Sequence, residues 1–175
     1  MNRTMAFFAA AVVLQLVILA AVPSRQIVTH KTGVTVILKT APIDPYSVMS
    51  GYYVTLTYEI SRLSDVMRSR LIENKDCYVV LEQDPNEPYG FWNAVSASIS
   101  FPTTLAPGQV VIKGRYEGWT VTYGIERYYI PEEKRHELEG AIRKNRDATR
   151  IEVKVDAKGN AAISRLLIGN EVYDY

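Results

Sequence analysis

A long uncharged stretch near the N-terminus constrains the fold of this chain more than any other feature. No residue from 4 to 24 is charged, and residues 5–22 are apolar apart from one glutamine. About 20 apolar residues in a helix cross a hydrocarbon core of about 30 Å. The sequence therefore predicts a membrane anchor at residues 1–25. Residues 26–175 contain no second stretch of this kind and are predicted to form one domain.

A cleaved signal peptide is the rival interpretation of this segment. Arg3 precedes the apolar region, and Ala20 and Ala21 are small residues of the type found at cleavage sites. We favour a retained signal-anchor, because the apolar stretch is longer than a usual signal core and Pro23 follows the best cleavage point closely. Basic residues on both sides leave the positive-inside rule undecided. The very short segment before the anchor favours a single-pass protein whose domain lies outside the cytoplasm.

Composition and residue spacing argue against several functional classes. The net charge of +1, from 20 basic and 19 acidic residues, provides no basic field for nucleic acid. The single cysteine, Cys77, cannot form an internal disulfide and is interpreted as a buried, inert thiol. His30 and His136 are far apart and belong to no cluster of metal ligands. We expect no metal, no cofactor and no catalytic residue.

Alternation of apolar and polar residues dominates the rest of the chain and predicts an α+β domain. One helix is predicted at residues 132–146, and a shorter one at 62–72 with Leu63, Val66 and Met67 inward. These elements favour a mostly antiparallel sheet or small barrel with one or two helices. Strands are predicted at residues 33–39, 52–60, 77–81, 95–100, 110–116, 119–130, 151–155 and 161–168.

Residues 51–58 carry a family resemblance. They read Gly-Tyr-Tyr-Val-Thr-Leu-Thr-Tyr and resemble the signature of the GDYXXLXY family of bacterial membrane-anchored proteins, with Tyr52 in place of the aspartate. The Pro-Ile-Asp-Pro turn at 42–45, the Tyr-Gly-Ile-Glu-Arg-Tyr-Tyr-Ile-Pro-Glu segment at 123–132 and the final hairpin also have counterparts in that family. The resemblance implies an N-terminal membrane helix and a multi-pass membrane protein as partner, and little about biochemistry.

The candidate binding residues come from these motifs. Gly51 permits a tight entry to the strand, Tyr58 packs inward, and Tyr53 faces the other side, where a ligand, a partner or a covering helix remains open. Glu126 and Tyr128 are predicted to share a strand face, with an internal hydrogen bond as the plain alternative. The full set of tentative ligand- or partner-binding residues is Asp44, Gly51, Tyr53, Tyr58, Tyr123, Glu126 and Tyr128.

Two functional hypotheses follow. The first is a membrane-tethered accessory domain without enzymatic activity that binds an integral membrane protein. Its candidate surface consists of four of the twelve tyrosines, Tyr53, Tyr123, Tyr128 and Tyr129. The second is a membrane-anchored enzyme or ligand-binding domain with a pocket around Asp44, Tyr53, Tyr123 and Glu126. Convergence of those four side chains on one deep cavity favours the second, and their dispersal favours the first.

A serine hydrolase is a weaker variant of the second hypothesis. Ser47 and Ser50 are the candidate nucleophiles and Lys113 is the candidate base. No spacing argument joins them, although catalysis by such a pair needs direct hydrogen-bond reach. We therefore predict that neither serine is a nucleophile.

Overall fold

The computed structural model describes residues 3–41, 49–50, 53–87, 89–145 and 148–174. Among these residues are the α-helices α1 (Arg3–Thr32), α2 (Asp65–Arg68) and α3 (Arg135–Lys144), and 3₁₀ turns at Glu59–Ser61 and Glu132–Lys134. The strands are β1 (Val34–Lys39), β2 (Met49–Ser50), β3 (Tyr53–Thr55), β4 (Lys75–Gln83), β5 (Trp92–Ser98), β6 (Val110–Tyr116), β7 (Val121–Thr122), β8 (Arg127–Tyr129), β9 (Thr149–Val155), β10 (Ala161–Ile168) and β11 (Glu171–Tyr173).

These strands form three antiparallel sheets, in the orders β1-β9-β10-β11, β2-β3-β8 and β5-β4-β6-β7. The first two sheets meet at a bridge between Thr40 and Tyr58. The first and third meet where the Lys113 amide donates to the Gly159 carbonyl at 2.8 Å. The predicted α+β class with mostly antiparallel pairing is confirmed, and the described strands do not close into a barrel.

One apolar cluster joins the three sheets. The predicted inward face of the strand after residue 52 is confirmed, because Val54, Leu56, Tyr58 and Ile60 are all at most 5% exposed. The strand itself is shorter than predicted, since β3 ends at Thr55 and a 3₁₀ turn begins at Glu59. Burial alternates as the period-two pattern requires, whereas the backbone pairing stops early.

The predicted strand at residues 119–130 is wrong as a single element. Gly124 has a φ of +78°, a left-handed conformation that interrupts a strand and that only glycine adopts without strain. The chain is therefore divided into β7 and β8. The adjacent predicted strands at 110–116 and 119–130 favour a hairpin around Glu117-Gly118, and the antiparallel pairing of β6 with β7 confirms it. The connection runs from Glu117 to Thr120, and within it the Glu117 amide donates to the Thr120 carbonyl at 2.8 Å.

The helix predictions are confirmed in one case and mostly wrong in the other. Helix α3 lies within the predicted range and buries Leu138 completely. The helix predicted at residues 62–72 is reduced to the four residues of α2, and Val66, predicted inward, is 68% exposed. Glu152 lies between Ile151 and Val153 in β9, where alternation predicts an outward-facing side chain, yet it is only 9% exposed and pairs with Arg165 at 3.2 Å.

Helix α1 connects directly to the first sheet. Thr29, which is 2% exposed, donates its hydroxyl to Asp156 Oδ2 at 3.0 Å, and its carbonyl accepts the Gly33 amide at 2.9 Å. Burial acts to raise the pKa of Asp156, but hydrogen bonds from Asn160, Lys158 and Thr29 outweigh it and lower that pKa. This ionised carboxylate ties the helix to the β9–β10 turn.

The predicted N-terminal helix is present, but it continues to Thr32 instead of ending near residue 25. Among the residues that the structure describes, no helix reaches the combination of length and apolar character required of a membrane span.

The junction of α1 with the sheet generates a stability prediction. A Cβ added at Gly33 would lie 2.5 Å from the Thr29 carbonyl oxygen and 2.9 Å from the Val155 nitrogen, whereas one added at Gly140 meets nothing within 4 Å. We expect Gly33→Ala to lower the free energy of unfolding by about 1–3 kcal/mol through overpacking. Gly140→Ala, the matched control within α3, is expected to raise it by up to about 1 kcal/mol. Urea unfolding in detergent micelles followed by circular dichroism measures both, and equal effects would contradict the prediction.

Candidate functional site

The structure places three of the candidate tyrosines in the core. Tyr58, Tyr123 and Tyr128 are 0%, 6% and 6% exposed, respectively. Each hydroxyl donates to a backbone carbonyl: Tyr58 to Ile125 at 2.5 Å, Tyr123 to Ile60 at 2.7 Å, and Tyr128 to Tyr173 at 2.8 Å. Their rings pack and their hydroxyls are satisfied internally, so these side chains hold the fold together.

The environment of two of these phenols changes their acidity. Burial raises the pKa of Tyr58 well above its ordinary value, and the charge of Glu126 adds to the effect. Burial also raises the pKa of Tyr123, with further contributions from Cys77 and Glu126. Both phenols therefore remain neutral hydrogen-bond donors at physiological pH.

Glu126 closes the turn that interrupts the predicted strand. Its Oε1 accepts the backbone amide of Tyr123 at 2.5 Å, across the positive-φ Gly124. Its own carbonyl accepts the Leu56 amide at 2.7 Å, which fastens the turn to the strand beside it. The sequence left open whether Glu126 binds a ligand or forms an internal hydrogen bond, and the internal hydrogen bond is present.

Tyr53 lies on the outer face of the small sheet, away from those three buried rings. It is directly opposite Tyr129 in the β3–β8 ladder, and their ring centroids are 5.9 Å apart. The Arg127 guanidinium lies over the Tyr53 ring at 5.2 Å, a cation–π distance. Tyr129 is 65% exposed, Arg127 is exposed and Tyr53 is half-buried. Together these three residues form a surface patch, which we call the Tyr53 face.

A cleft of about 800 Å³ lies next to β8. Its walls come from the end of α1, the segment from β7 through β8, and the first half of β10. Glu126 and Tyr128 line this cleft, but Tyr53 and Tyr123 do not. The lining residues are Gln26, His30, Glu117, Thr122, Gly124, Ile125, Glu126, Arg127, Tyr128, Tyr129, Ala161, Ala162 and Ile163.

The described residues of the pocket in the second hypothesis do not converge on one cavity. Tyr123 turns its hydroxyl into the core, Tyr53 lies on the outer face, and Glu126 borders the cleft. Asp44 and Gly51 lie outside the described residues. Sequence reasoning missed the contributions of Gln26, His30 and residues 161–163 to the cleft, because no motif or periodicity relates segments so distant along the chain.

Other candidate chemistry has structural explanations. Cys77 is 1% exposed, and burial, followed by the charge of Asp76, raises the pKa of its thiol to about 11, in agreement with an inert cysteine. Lys113 Nζ forms an ion pair with Asp76 at 2.7 Å. The hydrogen bond and charge of Lys113 lower the pKa of Asp76. Ser47 lies outside the described residues. Within the described part of the chain, no three His, Cys, Asp or Glu side chains form a metal-binding group.

Removing single tyrosine hydroxyls tests their structural role. We expect Tyr58→Phe, Tyr123→Phe and Tyr128→Phe each to lower the free energy of unfolding by about 1–2 kcal/mol, because each leaves a buried carbonyl without its donor. Tyr53→Phe, the control on the outer face, should change it by less than about 0.5 kcal/mol. Urea unfolding monitored by circular dichroism separates the two groups. A loss at Tyr53 equal to that at Tyr58 would contradict this assignment.

The raised pKa values predict alkaline instability. A phenol in the unfolded chain ionises near pH 10, whereas Tyr58 and Tyr123 ionise at higher pH in the folded chain. Their stabilising contribution is thus complete below about pH 10 and is lost as the pH rises toward their folded values. We expect the free energy of unfolding to fall more steeply between pH 10 and 12 in the parent than in the Tyr58→Phe/Tyr123→Phe variant. Parallel slopes would refute the prediction.

The family assignment now rests on most of the chain. No curated protein and no solved structure matches the sequence. The family described as GDYXXLXY protein matches residues 15–166, a range that includes the end of α1, the buried tyrosines and the β9–β10 hairpin. This chain belongs to the GDYXXLXY family.

Proposed function

We propose that this protein is a membrane-tethered docking domain. Its N-terminal helix is a single-pass signal-anchor, residues 26–175 lie outside the cytoplasm, and the partner is an integral membrane protein. The observation that carries the proposal is the exposure of apolar side chains along the first half of α1, from Met5 to Leu19. The most exposed of them are Phe7 (76%), Phe8 (73%) and Met5 (68%).

A helix with apolar side chains exposed on all sides is stable only where lipid or another protein buries them. The exposed apolar residues of α1 also include Val12, Val13, Leu14, Leu16, Val17, Ile18 and Leu19, so they are closely spaced and lie on all sides of the helix. Helices that are apolar all round are buried in a protein core or in lipid. The domain contacts α1 at the opposite end of the helix, where Thr29 binds Asp156. The apolar side chains between residues 5 and 19 are therefore not covered by the domain and require another apolar environment.

A docking role fits the rest of the molecule better than an enzymatic one. Tyr58, Tyr123 and Glu126 all have hydrogen bonds within the chain. The exposed aromatic and guanidinium groups of the Tyr53 face belong to the residue types that are enriched at protein interfaces. The alternative, a membrane-anchored enzyme or ligand-binding domain around Asp44, Tyr53, Tyr123 and Glu126, is supported only by the presence of Glu126 in the cleft.

Membrane tethering is tested by extraction and by reporter fusions. We expect the protein to resist carbonate extraction and a phosphatase fused after Tyr175 to be active in a bacterial host. Leu16→Arg/Ile18→Arg should release the protein, because each central arginine costs about 2.5–3.5 kcal/mol of insertion free energy. Val28→Arg, at a position that is 53% exposed but near the domain, is the matched control and should remain in the membrane.

The anchor would be contradicted if carbonate extracted the parent protein. It would also be contradicted if the intact mass corresponded to a chain that begins near residue 22. An inactive phosphatase fusion together with an active cytoplasmic reporter would reverse the orientation.

Partner docking is tested at the Tyr53 face. We expect crosslinking in native membranes to capture a specific membrane protein, and Arg127→Ala/Tyr129→Ala to reduce that product about tenfold by removing exposed interface side chains. Trp119→Ala is the control, because Trp119 is 77% exposed and stacks on Arg68 instead. Circular dichroism confirms folding of each variant. An unchanged crosslink in the double variant, or an equal loss in the control, would exclude this face as the docking surface.

A further inference from the structure

We propose that the cleft between β8 and β10 is a strand-addition site, which binds an extended segment of a partner protein through its backbone. The identity of the partner as a membrane protein rests on the proposed function above. The mode of binding rests on the geometry of the two strands alone.

The described strands form an incompletely closed ring whose two ends, β8 and β10, border this cleft. From β10 the pairing continues through β9 and β1, then through the Thr40–Tyr58 bridge to the extended segment of β3, and ends at β8. Strand β11 pairs with β10 only at Leu166–Ile168, which leaves Ala161–Ile163 at an edge. No bridge joins β8 to β10 in the described part of the chain. Both edges line the same cleft.

The β8 edge directs backbone groups into the cleft. Glu126 is in a hydrogen-bonded pair with Leu56, because its carbonyl accepts the Leu56 amide at 2.7 Å. Hydrogen-bonded and non-hydrogen-bonded pairs alternate along an antiparallel ladder. Tyr128 therefore exchanges its backbone bonds with β3, whereas the amides and carbonyls of Arg127 and Tyr129 point away from β3, on the side of the cleft.

The β10 edge is complementary. The Asp156 amide donates to the Asn160 carbonyl at 3.0 Å, which makes this pair a hydrogen-bonded one. The same alternation assigns the backbone bonds of Ala162 to Lys154 in β9. The amides and carbonyls of Ala161 and Ile163 are then directed away from β9. The cleft thus presents donors and acceptors from two opposite edges, as an added strand requires.

The side chains in the cleft define the chemistry of this segment. Ala161 and Ile163 are partly buried and pack against the core, so an added strand would place small apolar residues on its inner face. Glu117 and Glu126 contribute two carboxylates, against one guanidinium, that of Arg127, which also lines the cleft but lies over the Tyr53 ring. The occupant is therefore an extended segment in which apolar and basic residues alternate.

A peptide pair tests the proposal directly on the full chain in detergent micelles. The probe is a fluorescent, end-capped hexapeptide of alternating lysine and valine. Its matched control has the same side chains but N-methylated valines, which remove the backbone donors along one edge. We expect fluorescence anisotropy to give at least about tenfold weaker binding of the methylated peptide. Equal affinity for the two peptides would overturn the proposal.

Amide hydrogen exchange measured by NMR locates the binding. We expect the amides of Arg127, Tyr129, Ala161 and Ile163 to exchange rapidly in the free protein and about tenfold or more slowly with the peptide bound. The amide of Ala162, paired with β9, should be protected in both states. Slow exchange of the four edge amides in the free monomer would show that the edges are already paired. Protection that depends on protein concentration would identify a second copy as the occupant. Either result refutes the proposal.

A variant pair supplies an independent check. Ile163→Pro removes one donor from the cleft edge, where proline is tolerated, and should weaken peptide binding about tenfold. Ile163→Val retains the backbone and should bind like the parent. If Ile163→Pro does not fold, the comparison of the methylated and unmethylated peptides on the parent protein still tests the proposal. If the parent protein resists carbonate extraction but binds both peptides equally, this inference is wrong and the proposed function stands. If carbonate releases the parent protein but it still prefers the unmethylated peptide, the proposed function is wrong and this inference stands.

Discussion

Two reciprocal hydrogen bonds hold the rest of the domain in place. Tyr58 donates to the carbonyl of Ile125, and Tyr123 donates to the carbonyl of Ile60, so each ring anchors the turn beside the other. Tyr58 is the last residue of the signature octet, and Tyr123 is the first residue of the second motif. The two segments that carry the family resemblance are thus locked to one another. The buried tyrosines of both segments serve the fold, whereas Tyr53 is half-buried on the outer face of the small sheet.

This lock also explains why β8 is left as an edge. Gly124 and the Tyr123–Glu126 turn take the chain out of the β6–β7 sheet and redirect it alongside β3. The bond from Leu56 to the Glu126 carbonyl then sets the register of β8. Since Tyr128 uses its backbone on β3, the alternation of the ladder directs its neighbours outward. The open cleft is therefore a consequence of the turn that the buried tyrosines stabilise.

Local patterns predicted the elements whose neighbours are close in sequence. Strand β1, the β9–β10 hairpin and the buried row from Val54 to Ile60 follow from period-two alternation, which burial on one face imposes. The break at Gly124 was missed because the apolar pattern continues through it, and only the backbone conformation distinguishes a turn from a strand there. The cleft was missed because α1, β8 and β10 meet through tertiary packing, which alternation within one segment does not encode.

The junction between α1 and the sheet determines where the cleft lies relative to the apolar part of the helix. Helical rise of 1.5 Å per residue puts Gln26 about 10 Å and His30 about 16 Å beyond Leu19, the last exposed apolar residue of the first stretch. Between them, the Thr29–Asp156 bond fixes the helix to the β9–β10 turn, and the close approach at Gly33 leaves no room for a side chain. Under the proposed function, a partner that covered residues 5–19 would therefore be held within a short reach of the two strand edges. Contacts at both places would reinforce each other, since binding at the first raises the effective concentration at the second.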